Sequence, residues 1–161
     1  MPASSQTSAP TFVNVLRIWL SLVAVMAFGN TVMCFTTPSY LFDKLYTVDE
    51  KNVSGLSARL FGVWTLLAGG LRLICALDIY NKMLYHATLF SFILACYHFL
   101  SEVVFYQTAA WTMGIVAPVI VSSLSIILMA VGYFVICPED LRTVYQNENE
   151  EILKSRPKKQ I

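Results

Sequence analysis

Stretches without a charged side chain dominate the first 138 residues: 18–42, 60–71, 83–101 and 103–138. A helix needs about 20 predominantly apolar residues to cross a bilayer, and four such crossings fit this pattern. The sequence therefore predicts an all-α integral membrane bundle of four transmembrane helices. The spans fall at about 13–35, 56–77, 83–105 and 114–136. The first stops before Thr36-Thr37-Pro38-Ser39, because Pro38 disfavours helix at the residue before it. The last uncharged run, 103–138, would extend about 54 Å as a single helix, so it must contain a turn, placed at 107–112.

Charge supports the same solvent. Only 13% of the residues are charged and 57% are hydrophobic, against roughly 25% charged in soluble domains. A water-soluble globule of this composition would have to expose most of its apolar side chains. The net charge of +1 and the absence of a basic block in the body argue against a nucleic-acid binder. The ends are different material. Residues 1–12 begin MPASSQTSAP and read as a disordered leader, whereas 138–161 form a charged tail too short for a core of its own. Residues 13–137 are then one transmembrane domain.

Four spans put both termini on one side. That side collects Arg17, Arg72, Lys82, Arg142, Lys154, Arg156, Lys158 and Lys159, against Lys44, Lys51 and Arg59 on the other. The excess of basic residues predicts cytosolic termini. Lys158 and Lys159 occupy the dilysine position relative to Ile161, an address for retrieval to the endoplasmic reticulum rather than an anchor. Asn52-Val53-Ser54 is a glycosylation sequon, but it lies so near the second span that it is expected to stay unmodified.

Ionisable groups inside spans are functional candidates by default. The second and third spans are joined near Tyr80, so residues whose numbers sum to about 160 share a depth, and Arg59 is expected level with Glu102. His98 and Glu102 lie on one helical face with Thr88, Ser91 and Ala95. Imidazole held by a carboxylate could move protons, yet a stripe of small and hydrogen-bonding residues is also what helix packing in lipid uses. On the second span Ala58, Gly62, Thr65, Gly69 and Ala76 make a small-residue face suited to close helix contact or to a homodimer, with Arg72 expected to snorkel to the cytosolic headgroups. Asn30 is a candidate interhelical donor, and Pro118 a candidate kink in the fourth span.

No catalytic, cofactor or metal constellation emerges. The two histidines, His86 and His98, are about 120° apart around a helix, too few and too separated for a membrane di-iron oxidase. Tyr40 and Lys44 match a Tyr-x-x-x-Lys pair, but no glycine-rich nucleotide turn accompanies them. Cys34, Cys75, Cys96 and Cys137 show no metal-ligand spacing.

Several longer segments are distinctive: NVLRIWL at 14–20, GNT at 29–31, KLYT at 44–47, LSARLFGVWTLL at 56–67, ALDIYNKMLYHATLFSFILACYHFLSE at 76–102 and YQTAAWTMGIVAP at 106–118. Together they resemble the ergosterol biosynthetic protein 28 family over nearly all of 13–130. Two departures stand out: Tyr80 replaces the His that precedes the family's Asn-Lys pair, and the charged tail is longer.

The resemblance implies a multi-span endoplasmic-reticulum protein that holds together the sterol C4-methyl oxidase, the 3-hydroxysteroid dehydrogenase/C4-decarboxylase and the 3-keto sterol reductase, without activity or cofactor of its own. The alternative is a membrane-embedded sterol isomerase-like lipid enzyme using Glu102 and His98 as acid and base. A small transporter would need a charge pathway through mid-membrane, which the sequence lacks.

Overall fold

The computed structural model describes residues 8–37, 39–48 and 53–136. It contains α1 (Ser8–Thr36), α2 (Tyr40–Lys44), α3 (Gly55–Leu77), α4 (Lys82–Val104) and α5 (Met113–Ile136), with no strand among the described residues. Four of these helices are long and apolar enough to cross a membrane, the lone exception being α2. The chain is a multi-pass all-α membrane protein. Lys158, Lys159, Asn52 and Cys137 lie outside the described residues.

Local chemistry sets the helix ends. Ser54 caps α3 by accepting the Ser57 amide at 3.2 Å, and Asn81 caps α4 by accepting the Leu84 amide at 3.2 Å. The helix α1 starts at Ser8, inside the stretch expected as a leader. Pro10 explains why: in a first turn its missing N–H breaks no hydrogen bond, and its fixed φ suits a helix. Pro118 lies inside α5, which continues through it.

The four long helices form an up-and-down ring, with α1 packed most extensively on α3 and α4 on α5. Close approach of α1 and α3 depends on glycine. A Cβ built on Gly62 would lie 3.1 Å from Cys34 Cβ, and one on Gly69 would lie 3.2 Å from Ala27 Cβ. Between them the Thr31 and Thr65 hydroxyls meet at 2.9 Å, and each also reaches the Gly62 carbonyl. Hydroxyls that bond across helices while satisfying their own backbone are well suited to lipid, which offers no competing partner. Ala58, fully buried, continues this face. The small-residue face considered for a homodimer is therefore covered by α1 of the same chain.

On the other side of the ring, Trp19 Nε1 of α1 donates to Ser125 Oγ of α5 at 2.9 Å, and the Tyr85 hydroxyl of α4 donates to the Met129 carbonyl. Outside, Ile18, Leu22, Val25, Leu67, Ile127 and Phe134 are exposed. Such a surface fits hydrocarbon as its solvent.

Two ends differ in construction. At the turn end, where α3 meets α4, Arg17 Nε donates to the Ala76 carbonyl at 2.7 Å and an Nη reaches the Leu77 carbonyl at 3.4 Å. This satisfies the last carbonyls of α3, a helix with no basic residue in its own last turn. At the loop end, α2 rests on buried Leu41 and Leu45, and its Lys44 carbonyl accepts from Thr112 Oγ1 at 3.2 Å, beside Gly114 at the start of α5.

Candidate functional site

An open cleft of about 760 Å³ lies at the loop end, lined on its polar side by Tyr46, His98, Glu102 and Thr108 and on its apolar side by Phe61 and Trp64. Two loops and the facing helices α3 and α4 build it. The depth relation places Phe61 and Trp64 of α3 beside His98 and Phe99 of α4, with the Trp64 and His98 rings 5.2 Å apart and Phe61 and Phe99 6.3 Å apart. The segment after α2 brings in Tyr46, whose hydroxyl is 2.6 Å from His98 Nε2. The turn after α4 brings in Thr108.

That turn depends on Gln107, which has φ 54°, the left-handed region. Reversal there lets the Thr108 amide donate to the Glu102 carbonyl at 3.0 Å while Thr108 Oγ1 donates to the Glu102 carboxylate. The Val48 amide in turn donates to the Thr108 carbonyl at 3.3 Å, so the two loops support each other. The other carboxylate oxygen faces His98 Nδ1 at 3.8 Å, a contact that becomes an ion pair only when the imidazole is protonated.

Protonation follows from these partners. Burial and the nearby Glu102 charge push the Tyr46 phenol up, so it stays a donor throughout the physiological range. A Tyr46 O–H donating to Nε2 leaves the neutral imidazole's proton on Nδ1, on the side of the carboxylate. The arrangement is an acid–base pair whose polar atoms are largely engaged by the protein itself. Chemically it can hold loops or pass a proton; no group of three or more metal-ligating side chains accompanies it among the described residues.

A model of the Erg28-like protein family matches residues 16–127. The chain belongs to the Erg28-like family. It is 53% identical over 121 residues to the human Ergosterol biosynthetic protein 28 homolog, an alignment covering 75% of this chain and 86% of the relative. To the fission yeast (Schizosaccharomyces pombe) Ergosterol biosynthetic protein 28 it is 40% identical over 112 residues, covering 70% and 81% of the two chains. The Saccharomyces cerevisiae protein of that name is 26% identical over 111 residues, covering 69% and 75%. No solved structure matches.

Within this Erg28-like chain the sequence candidates separate. His98 and Glu102 meet, as do Gly62, Thr65 and Gly69 with α1. Arg59 does not join Glu102. The two share a depth, but Arg59 is two residues, or about 200°, around α3 from Phe61, which faces α4. Arg59 is accordingly exposed and forms no ion pair with Glu102. Arg72 also departs from expectation: it is only 8% exposed and its guanidinium carbon lies 4.2 Å from the Phe92 ring centroid, inside the bundle instead of at the headgroups.

Tyr46, Thr108 and Arg17 are the functional-looking residues that sequence reasoning missed. For Arg17 a signal existed, since the uncapped end of α3 required a donor from elsewhere. For Tyr46 and Thr108 none did, because their partner is reached only after two loops have folded.

Proposed function

We propose that this chain is a non-catalytic scaffold of the endoplasmic-reticulum membrane, acting in sterol biosynthesis. In this reading it tethers the sterol C4-methyl oxidase, the 3-hydroxysteroid dehydrogenase/C4-decarboxylase and the 3-keto sterol reductase, so that intermediates pass between them over short distances. Both termini face the cytosol, and Lys158 and Lys159 supply the retrieval address.

The likeness to the human Ergosterol biosynthetic protein 28 homolog over 86% of that protein carries the proposal. The engagement of polar groups supports it. His98 is tied to Tyr46, Glu102 to Thr108 and Thr65 to Thr31, which is how polar groups behave when they fix a shape. Partners are left the exposed apolar flanks of the helices and the loop-end surface.

A second reading, a sterol isomerase-like enzyme, is favoured by one observation: His98 and Glu102 face an open cleft of about 760 Å³. Assay of the purified chain on C4-methyl sterols separates the two. We expect no turnover by the wild type and none by Glu102→Gln. Turnover by the isolated wild type that Glu102→Gln abolishes would establish the enzyme reading and remove the scaffold one.

A further inference from the structure

A second cavity, about 320 Å³, lies between all four long helices, and Arg72 sits at its turn-end limit. Arg72 is more than nine-tenths buried, and its Nε has no hydrogen-bond partner. Among the described residues no carboxylate pairs with it; its guanidinium lies over the face of Phe92. A guanidinium stays charged under all ordinary conditions, and an uncompensated buried charge is strongly disfavoured in a low-dielectric interior. A cation held this way without a protein anion is complementary to an anion from outside.

The rest of the cavity limits what that anion belongs to. The lining is mainly apolar and aromatic, with Asn30 among its few polar side chains, about 9 Å farther along the bundle axis by helix rise. Met26 and Met113, both exposed and both on the cavity wall, mark an opening between α1 and α5 toward the lipid. The volume is at the small end for ligand pockets, too small for a diacyl phospholipid and sufficient for a chain segment or a few fused rings.

We infer that the bundle binds a single-anion amphiphile from the membrane, an apolar body ending in a carboxylate, with the carboxylate on Arg72 and the body lying toward Asn30. Arg favours this class because its planar fork matches the two carboxylate oxygens. The site lies beyond Phe61 and Trp64, the wall it shares with the His98–Glu102 cleft, and does not depend on the scaffold reading.

The test uses the full chain in phosphatidylcholine nanodiscs with two photoreactive probes, a long-chain fatty acid and a polycyclic carboxylic acid, each beside its methyl ester. At least one acid should label cavity residues, its ester at least tenfold less. Arg72→Gln should lower labelling by the acid at least tenfold, Arg72→Lys should retain only part of it, since one ammonium does not match both carboxylate oxygens, and Asn30→Leu should lower it severalfold with Arg72 intact. Melting temperatures of the same samples identify any variant that fails to fold, in which case Arg72→Lys and Asn30→Leu decide. Equal labelling by acid and ester, or labelling indifferent to residue 72, overturns the inference.

Discussion

Gly114→Ala is expected to destabilise the protein by about 2–3 kcal/mol, the upper part of the usual range for overpacking. A Cβ at this position would run into the Lys44 carbonyl, which is backbone and cannot swing aside like a side chain. Thr112 Oγ1 bonds the same carbonyl, so relief requires α2 to lift away from α5 and loosens the segment that carries Tyr46. Gly29 and Gly70 are internal controls, because a Cβ on either meets nothing within 4 Å. Alanine there should leave stability unchanged or raise it by up to about 1 kcal/mol through helix propensity. Unfolding of the three variants in mild detergent, against rising dodecyl sulfate, reads the difference. Equal midpoints for all three would mean that α2 is not seated on α5 as described.

Arg17→Met should cost about 1.5–3 kcal/mol, the usual worth of hydrogen bonds to a charged donor. The loss concentrates at one place: the Ala76 and Leu77 carbonyls at the end of α3 are left without their donor. Near the hydrocarbon boundary water replaces that donor poorly. Arg17→Lys should recover only part of the loss, since one ammonium cannot reproduce the Nε and Nη pair of contacts. Amide exchange should rise first in the turn between α3 and α4, which depends on that end. A drop in stability without faster exchange there would place the effect of Arg17 elsewhere.

How far the sequence reaches can be argued residue by residue. Four spans follow from length and hydropathy alone, because bilayer thickness fixes the length a helix needs. Depth across the α3–α4 hairpin follows equally well: Thr88 Oγ1 meets the Leu71 carbonyl at 3.3 Å, and Phe61 meets Phe99. Azimuth does not follow. Arg59 and Glu102 are level yet unpaired, because which side of α3 faces α4 is decided by α1 claiming Ala58, Gly62 and Gly69. That same competition turns Arg72 inward over Phe92. The site was half readable. His98 and Glu102 share a face by helical periodicity, whereas Tyr46 and Thr108 arrive from loops whose paths depend on α2, a five-residue helix without a periodic signal, and on a left-handed Gln107.

Affinity capture of the tagged full chain from mild detergent, in cells that make sterols, tests the scaffold directly. Co-capture of the C4-methyl oxidase, the dehydrogenase/decarboxylase and the 3-keto reductase in one complex, persisting with Glu102→Gln, is the predicted result. Recovery of the chain without any of the three, under conditions that keep other membrane complexes intact, would contradict it.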